Sequence, residues 1–573
     1  MSMDPLEPFR QEVEGKVKAA LSEIGASIEL QMETPDPSLA DFAFPCHPLA
    51  KTLRKAPAAI AEDLASRIRP SDRIGKVWAE KGYLNLKADD KQLARATLEE
   101  IVRSQGSYGQ GDDRGVRVLL EHTSVNPTGP IHVGRARNPI IGDTLARCLA
   151  KCGYAVTTEY LVNDVGRQVV LLTWGVNNVP AAEVKASERP KDDHLLVGYY
   201  QRANELMEAD KGVEEQVAAM TRSFEDGDAE VIGQVRVTAE RMLEGIKESL
   251  ASVNVFLDNY AWESQFIING DAREVVDRLK GAPYCREEEG AHYLDLSEFG
   301  IHGRDTKFFF TRSDGTTLYT TRDMAYHLDK FKRADHLINV LGEDQKLGQQ
   351  QLAAALRILG EGKVPECMFY AFVSLPEGRM STRKGRVVTL DDLIDEAEER
   401  AYEEVRKRRT DLSEERMREI ARDIGRGALR FNIVRVQAEK QIVFKWEEAL
   451  NFEGNSAPFV QYAHARCCSI LAKAGPFDRV IDPDLLDDPY EIKLIRILAQ
   501  YPTVVRDCGV KRRIHLMPAY GQEVAAAFNQ FYAYVPVLRS GERQTARLTL
   551  VEATMWVLRG VLGTLGLAAL EEM

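Results

Sequence analysis

Hydrophobic and polar positions change period several times along the chain. Pro57 to Ile68 carries a helical repeat and GYLNLKA (82–88) alternates as a strand, so the first hundred or so residues predict a small α/β unit. The stretch from Gln105 to Asp113, rich in Gly, Ser and Asp, predicts a linker. VRVLLEH (116–122) is a β-branched and Leu run suited to a buried parallel strand. A turn with Pro127, Gly129 and Pro130 follows, and HVGR (132–135) is expected to open a helix that Gly153 ends. Ile141, Leu145 and Leu149 give that helix an apolar stripe, and Pro139 is tolerable in or near its first turn. Strand-like and helix-like segments then alternate to about residue 445, as in an open α/β fold. Within them, residues 180–300 are acidic and weakly patterned and predict an insertion. Beyond residue 389 the signals are helical, with capping spacing at Thr389/Asp392 and Asp411/Glu414. Further helix starts fall at Ser456-Ala-Pro458 and Asp488-Pro489. Three regions result: α/β over 1–112, open α/β over 113–445 and all-helical over 446–573.

Length agrees, because 573 residues are too many for one core. A hydrophobic share of 44% and a charged share of 28% are those of an ordinary globular chain. The net charge of −13 argues against a polyanion-binding surface everywhere, so a nucleic-acid partner would need local clusters of cations. Arg406–Arg409 and Lys511–Arg513 could supply them, although each run also reads as a solvated helix face. The eight cysteines form no CxxC pair, which leaves reduced, mostly buried thiols as the expectation. The N-terminus has no apolar signal region and no run approaches the roughly 20 apolar residues that span a bilayer. A cytoplasmic chain with no membrane partner is therefore expected.

The strand–turn–helix at 116–153 carries the candidate chemistry. A helix N-terminus offers free N–H groups to phosphate, Gly134 admits a nucleotide close to the backbone, and His132 can donate to a phosphate oxygen. Alone, such a unit with one histidine is more often structural. Other nucleotide signatures are missing: GQG (109–111) follows a polar turn, and neither a P-loop nor HExxH occurs.

Companion segments make the case specific. HVGR resembles the HIGH signature of class I aminoacyl-tRNA synthetases, and EGRMSTRKGRVVTL (377–390), after the apolar run FYAFVSL (369–375), resembles their KMSKS loop. Within that class, DFAFPCHPLAKTLRKAP (41–57), VNDVGRQ (162–168), SDGTTLYTTRDMAYH (313–327), VLGEDQKL (340–347) and FEGNSAPFVQYAHAR (452–466) resemble arginyl-tRNA synthetases. The resemblance implies a Rossmann-like catalytic domain over 113–445, an N-terminal tRNA-binding α/β domain over 1–112 and a helical anticodon-binding domain over 446–573. It implies ATP with Mg²⁺, arginine and arginine tRNA as ligands, and a monomer.

By the same resemblance His132, Gly134, Arg135 and Lys384 would be catalytic, with Pro130, Met380, Ser381 and Arg383 also binding ATP. Glu121, Asn126, Tyr319, Asp323 and Gln345 would form the arginine pocket. That set suits a guanidinium, which needs planar carboxylate partners. Tyr319 and Asp323 are four apart, on a helix expected to be capped by Thr320 or Thr321. Tyr462, Arg466, Asn529 and Tyr532 would meet tRNA, with His464 and Phe531 as further candidates, though each ring also suits ordinary core. Two departures stand out: Arg135 replaces the last His of HIGH, and Arg379, Arg383 and Lys384 carry the cations of the KMSKS loop in a shifted pattern. A class I synthetase for another amino acid and a non-catalytic tRNA-binding relative are the rival readings.

Overall fold

The computed structural model describes residues 4–26, 30–33, 35, 40–374, 382–383 and 386–573. Met380, Ser381 and Lys384 of the expected loop lie outside the described residues, and Arg383 is placed by its backbone alone. The chain forms two compact units. One comprises Met1–Asp112, Asn451–Lys511 and Leu516–Met573; the other comprises Asp113–Leu450 with Arg512–His515.

The first unit joins the α/β start of the chain to its helical end, which the sequence pattern separates. Its antiparallel sheet places the strand Tyr83–Ala88 between Phe42–Pro45 and Ile74–Glu80. Arg496, from the helix Pro489–Ala499, reaches that sheet. Its guanidinium donates to both carboxylate oxygens of Asp41 (2.9 and 2.7 Å), to Asp90 (2.7 Å) and to the Ala88 carbonyl (2.8 Å). Such partners, hundreds of residues apart, carry no periodic signal.

The second unit is built on a five-stranded parallel sheet. Its strands are β1 (Arg117–Glu121), β2 (Ala155–Val162), β3 (Asn259–Trp262), β4 (His336–Gly342) and β5 (Glu366–Tyr370), in the order β5-β4-β1-β2-β3. Leu120 pairs with Ile338 on one side and Thr158 on the other, so β1 is an interior strand, and Val118 to Glu121 are buried in succession, on both faces. Strand order reverses between β1 and β4, where doubly wound sheets bind ligands beyond their C-terminal ends.

Helices α1 (Arg137–Lys151), α2 (Arg167–Asn178), α3 (Asp192–Ala209), α4 (Lys211–Glu225), α5 (Ala229–Ser252), α6 (Tyr319–Arg333) and α7 (Leu390–Arg408) belong to the same unit. The insertion is more regular than its weak pattern predicts. Val213, Val217, Phe224, Val235 and Ala239 of α4 and α5 share one core with Val169 and Val170 of α2. Acidic residues of α4 and α5 such as Glu214, Glu215, Glu240 and Glu244 are exposed on the remaining faces, which dilutes the periodic signal. HVGR also differs from expectation: Val133–Arg135 is a 3₁₀ turn and α1 starts at Arg137. Leu318, not a threonine, holds the N-cap position of α6; the Thr320 and Thr321 hydroxyls donate instead to the Phe309 and Phe310 carbonyls. Ser413 caps the helix Glu414–Val434 in place of Asp411, while Thr389 and Asp392 form the expected capping box on α7. No described helix is long and apolar enough to cross a membrane.

Two residues of α1 lock the switch point. Asn138 accepts from the Thr123 backbone N–H (2.9 Å) and donates to the Val340 carbonyl (3.0 Å), tying the turn after β1 to β4. Arg137 is fully buried, and its guanidinium donates to the carbonyls of Ala371, Lys440, Val436 and Gln437. With no carboxylate among those contacts, burial pushes its pKa down to about 10.

Candidate active site

The turn after β1 is strained. Thr123 (φ 71°) and Ser124 (φ 39°) occupy the left-handed region, which a β-branched residue rarely enters. Asn138 holds the first; Ser124 Oγ donates to Glu121 (3.2 Å) and accepts from Leu161 N–H (3.0 Å). The strain points the chain from β1 into the HVGR turn.

His132 there takes up one defined tautomer. Its Nδ1 accepts from the Gly134 backbone N–H at 3.1 Å, so the proton of a neutral ring sits on Nε2. Burial, helped by the Arg135 cation, lowers its pKa and keeps the ring neutral. Gly134 is required by this contact, because a Cβ there would lie 2.8 Å from His132 Cε1. A short antiparallel bridge joins His132 to Thr389 at the exit of the signature loop, with Val133 N–H donating to the Val388 carbonyl (2.9 Å) and Leu390 N–H to the Ile131 carbonyl (2.7 Å). HVGR and the loop's exit, some 250 residues apart in sequence, are thus directly paired.

A cleft of about 530 Å³ opens beside this bridge, lined by His132, Gly134 and Arg135, by Glu343 and Asp344 just beyond β4, and by Phe372, Val373, Ser374 and Gln441. The Arg135 cation, the His132 ring N–H, the Phe372 ring and two carboxylates together suit a nucleotide. Glu343 and Asp344 were not singled out by the sequence reading; an acidic pair directly after a strand-ending glycine is the signal available for them. Pro130, partly buried, lies two residues before His132 and is not part of the cleft lining.

Glu121 and Asp323, expected in the amino-acid pocket, belong to a network around a lysine that the sequence pattern does not single out. Lys330 of α6, fully buried, donates to Glu121 (2.7 Å) and to the Asn339 side-chain carbonyl (3.1 Å). The Asn339 amide donates to His327 Nε2 (2.9 Å), and His327 Nδ1 lies 3.1 Å from an Asp323 oxygen. His327 Nδ1 also lies 2.8 Å from the Asp323 backbone carbonyl, so the ring meets Asp323 through both its backbone and its carboxylate. A third acid, Glu263 just beyond β3, is paired with Arg322 (2.5 Å). Burial raises the Glu263 pKa, and the nearby negative charges of Asp164 and Asp323 add to that effect. Burial likewise opposes ionisation of Asp323, but His327 and then Lys330 hold its pKa below the ordinary carboxylate value. Glu121 and Glu263 each have a cationic side chain in contact. Asp323, 30% exposed, has His327 as its ion-pair partner among the described residues.

Asn126, Tyr319 and Gln345 are exposed, and hydrogen bonds among the described residues do not join them to this network. Gln345 donates instead to Asp344 (3.3 Å), at the cleft.

His122, next to Glu121, is 1% exposed; Nδ1 meets Thr123 Oγ1 at 2.9 Å and Nε2 has no partner among the described residues. Its ring packs on Gly142, where a Cβ would come within 2.3 Å. Burial, aided by Arg430, lowers its pKa from 6.5 to about 4. Between those values the unfolded chain binds a proton that the folded chain refuses. The stability contributed by the neutral ring is thus complete above pH 6.5 and lost as pH falls to about 4, up to about 3 kcal/mol. Urea midpoints of the protein and of His122→Asn, compared at pH 7.5 and 5, are expected to show a weaker acid destabilisation in the variant. Equal acid sensitivity would mean that the imidazole is free to protonate in the fold.

In the other unit the four tRNA candidates come together. The Arg466 guanidinium lies 4.6 Å from the Tyr462 ring centre and 5.3 Å from that of Tyr532, and donates to Asn529 Oδ1 at 2.8 Å. Both rings are exposed, at 40% and 44%. His464 and Phe531 are fully buried, and His464 Nδ1 donates to the Leu570 carbonyl (2.8 Å), so these two serve the core.

Comparison with known proteins identifies the family. Residues 97–446 match the family of class I tRNA synthetase (R) catalytic domains, 460–573 the DALR anticodon binding domain, and 11–88 the arginyl tRNA synthetase N terminal domain. The arginine–tRNA ligase of Methanocella arvoryzae is 48% identical over 526 residues, covering 92% of each chain. That of Methanospirillum hungatei is 43% identical over 534 residues, covering 92% of this chain and 93% of its own. The structure of Thermus thermophilus arginyl-tRNA synthetase superposes with a TM-score of 0.83 at 28% identity, covering 98% of this chain and all of that one. With the catalytic-domain match spanning more than half of its length, the chain belongs to the class I arginyl-tRNA synthetases, the arginine–tRNA ligases.

Proposed function

We propose that the two sites beyond the β1 and β4 ends bind ATP and arginine side by side, and that their joint work is arginyl-adenylate formation followed by transfer to tRNA. The observation that carries this reading is that two chemistries stand beyond the ends of the neighbouring strands β1 and β4: a cleft lined by His132, Arg135 and Asp344, and an acidic group in which Glu121 is held by Lys330 and Asp323 has no lysine or arginine in contact among the described residues. Family membership implies ATP use.

In the first step the arginine carboxylate attacks the α-phosphorus, forming a C(O)–O–P bond while the bond to pyrophosphate breaks. The attacking carboxylate is already ionised, so positioning and charge stabilisation do the work rather than a side-chain base. His132 donates from Nε2 to a phosphate oxygen. Arg135 and Lys384 offset the charge that builds on the leaving pyrophosphate. Asp344 accepts from ribose hydroxyls, and Phe372 walls the base. Glu121, held by Lys330, takes the substrate's ammonium, Asp323 its guanidinium, and Tyr319, Asn126 and Gln345 close the rim. In the second step the 2′-hydroxyl of the terminal adenosine takes the arginyl group and AMP departs.

Mg²⁺ fits as a companion of the nucleotide, supplying charge neutralisation on its phosphates, with Glu343 and Asp344 as the carboxylates at hand in the cleft. We further read the enzyme as a cytoplasmic monomer. Pyrophosphate exchange, run with each amino acid in turn and with tRNA present, tests the assignment. Exchange with arginine alone is expected; exchange with another amino acid, or with none, would overturn it.

The Tyr462–Arg466–Tyr532 group supports base stacking against an unpaired tRNA loop. Tyr532→Ala is expected to raise the Michaelis constant for tRNA about tenfold, the scale of one lost stacking contact, with the constant for arginine unchanged. Unaltered charging kinetics would place tRNA elsewhere.

A further inference from the structure

The insertion meets the signature-loop exit through a buried polar cluster. Lys191, at the N-cap position of α3, lies 2.8 Å from Asp391 and 3.3 Å from Asp193 and also donates to Ser249 of α5. His194 Nε2 lies 2.8 Å from the same Asp391 oxygen. Asp193 is fully buried against Gly245, where a Cβ would fall 2.5 Å from its carboxylate. Nearby, Arg189 pairs with Asp395 and lies 3.8 Å from Asp392. The ligand atoms of Asp193, His194 and Asp391 are within 4.8 Å of one another, as a metal site would need, but the Lys191 ammonium already supplies the cation there.

Asp391 stands in the first turn of α7, two residues after Thr389, the partner of His132. The start of α7 is therefore held twice: by backbone pairing to the HVGR turn and by Lys191, His194 and Arg189 of the insertion. Burial opposes ionisation of Asp391, yet His194 and Lys191 keep its pKa far below the ordinary carboxylate value. Buried charges cost desolvation that an apolar contact would avoid, and what they add is a single permitted geometry.

We propose that Lys191, Asp193, His194 and Asp391 are positioning residues for amino-acid activation, a clamp by which the insertion sets where the exit of the signature loop meets His132. The inference rests on the reading of that loop as the one that serves the ATP phosphates. The clamp acts on the step in which pyrophosphate leaves and not on transfer of arginine to tRNA.

The test uses the full-length enzyme with tRNA present. Single-turnover adenylate formation, transfer from enzyme-bound arginyl-adenylate, and Michaelis constants are measured for Lys191→Met, Asp391→Asn and Lys191→Arg. Lys191→Met and Asp391→Asn are expected to slow adenylate formation about tenfold or more, with transfer and the Michaelis constant for arginine within about twofold, and Lys191→Arg to recover most of the loss. Activation and transfer falling together, or an unchanged activation rate, would overturn the proposal by making the cluster a fold-stabilising feature. Lys384→Ala, measured in parallel, separates the two layers. If it leaves activation normal, the loop reading fails and takes the clamp with it; if it slows activation while both clamp variants do not, the clamp alone fails.

Discussion

Asp323→Asn is expected to weaken arginine binding by about 2–4 kcal/mol, roughly a thirtyfold to thousandfold rise in the Michaelis constant, with that for ATP nearly unchanged. The physical basis is the division of charge in the pocket. Lys330 is committed to Glu121 and Arg322 to Glu263, while among the described residues Asp323 has neither a lysine nor an arginine in contact and lies against the His327 ring, whose other nitrogen meets Asn339. An incoming guanidinium would find in Asp323 a carboxylate with no lysine or arginine in contact among the described residues, about one-third exposed and held below the ordinary carboxylate pKa by His327. The Asn variant keeps the shape and removes the charge. Steady-state kinetics in arginine and in ATP decide the matter, and an unchanged arginine constant would remove Asp323 from the pocket.

Lys384→Ala is expected to slow arginyl-adenylate formation by about a hundredfold or more, whereas Arg383→Ala costs about tenfold. Neighbouring residues of an extended backbone would point to different sides, so one of the two cations is expected to serve the pyrophosphate. The flexible ammonium of lysine can follow phosphates that move as the bond breaks, while a planar guanidinium favours a fixed bidentate partner. Because the contact strengthens toward the transition state, the rate constant should fall more than the Michaelis constant for ATP rises. Single-turnover measurements with tRNA present compare the two variants. A larger loss in Arg383→Ala would transfer the role to Arg383, and normal rates in both would remove the loop from the chemistry.

Arg135 bears on the same step. In place of an imidazole it sets a permanent cation in the cleft beside a histidine whose Nδ1 is engaged by Gly134, so donation falls to Nε2 and to the guanidinium. The departure from the HIGH pattern changes the donor and keeps a positively polarised wall facing the phosphates.

Local signals in the sequence carry much of this protein. The β-branched and Leu run at 116–122 suits a buried parallel strand, with Pro127, Gly129 and Pro130 in the turn after it, and the structure has a strand there at Arg117–Glu121. Thr389 with Asp392, and Asp488 with Glu491, cap their helices as their spacing demands. Helical spacing also put Tyr462 and Arg466 on one face, and Asn529 and Tyr532 on another, near enough for a shared platform. Each of these depends on interactions within a few residues, which a period or a cap makes visible.

Charge pairing across the chain was decided by the tertiary structure alone. Lys330 reads as one more cation in the polar last turn of a helix, and only the parallel pairing of β4 with β1 brings it to Glu121, 209 residues earlier. The partners of Lys191, Arg496 and Arg137 are just as remote, and Arg137 finds carbonyls where a carboxylate would be expected. A long-range ion pair leaves no trace in local pattern, because either member alone is indistinguishable from a solvated surface charge until folding removes the water around both.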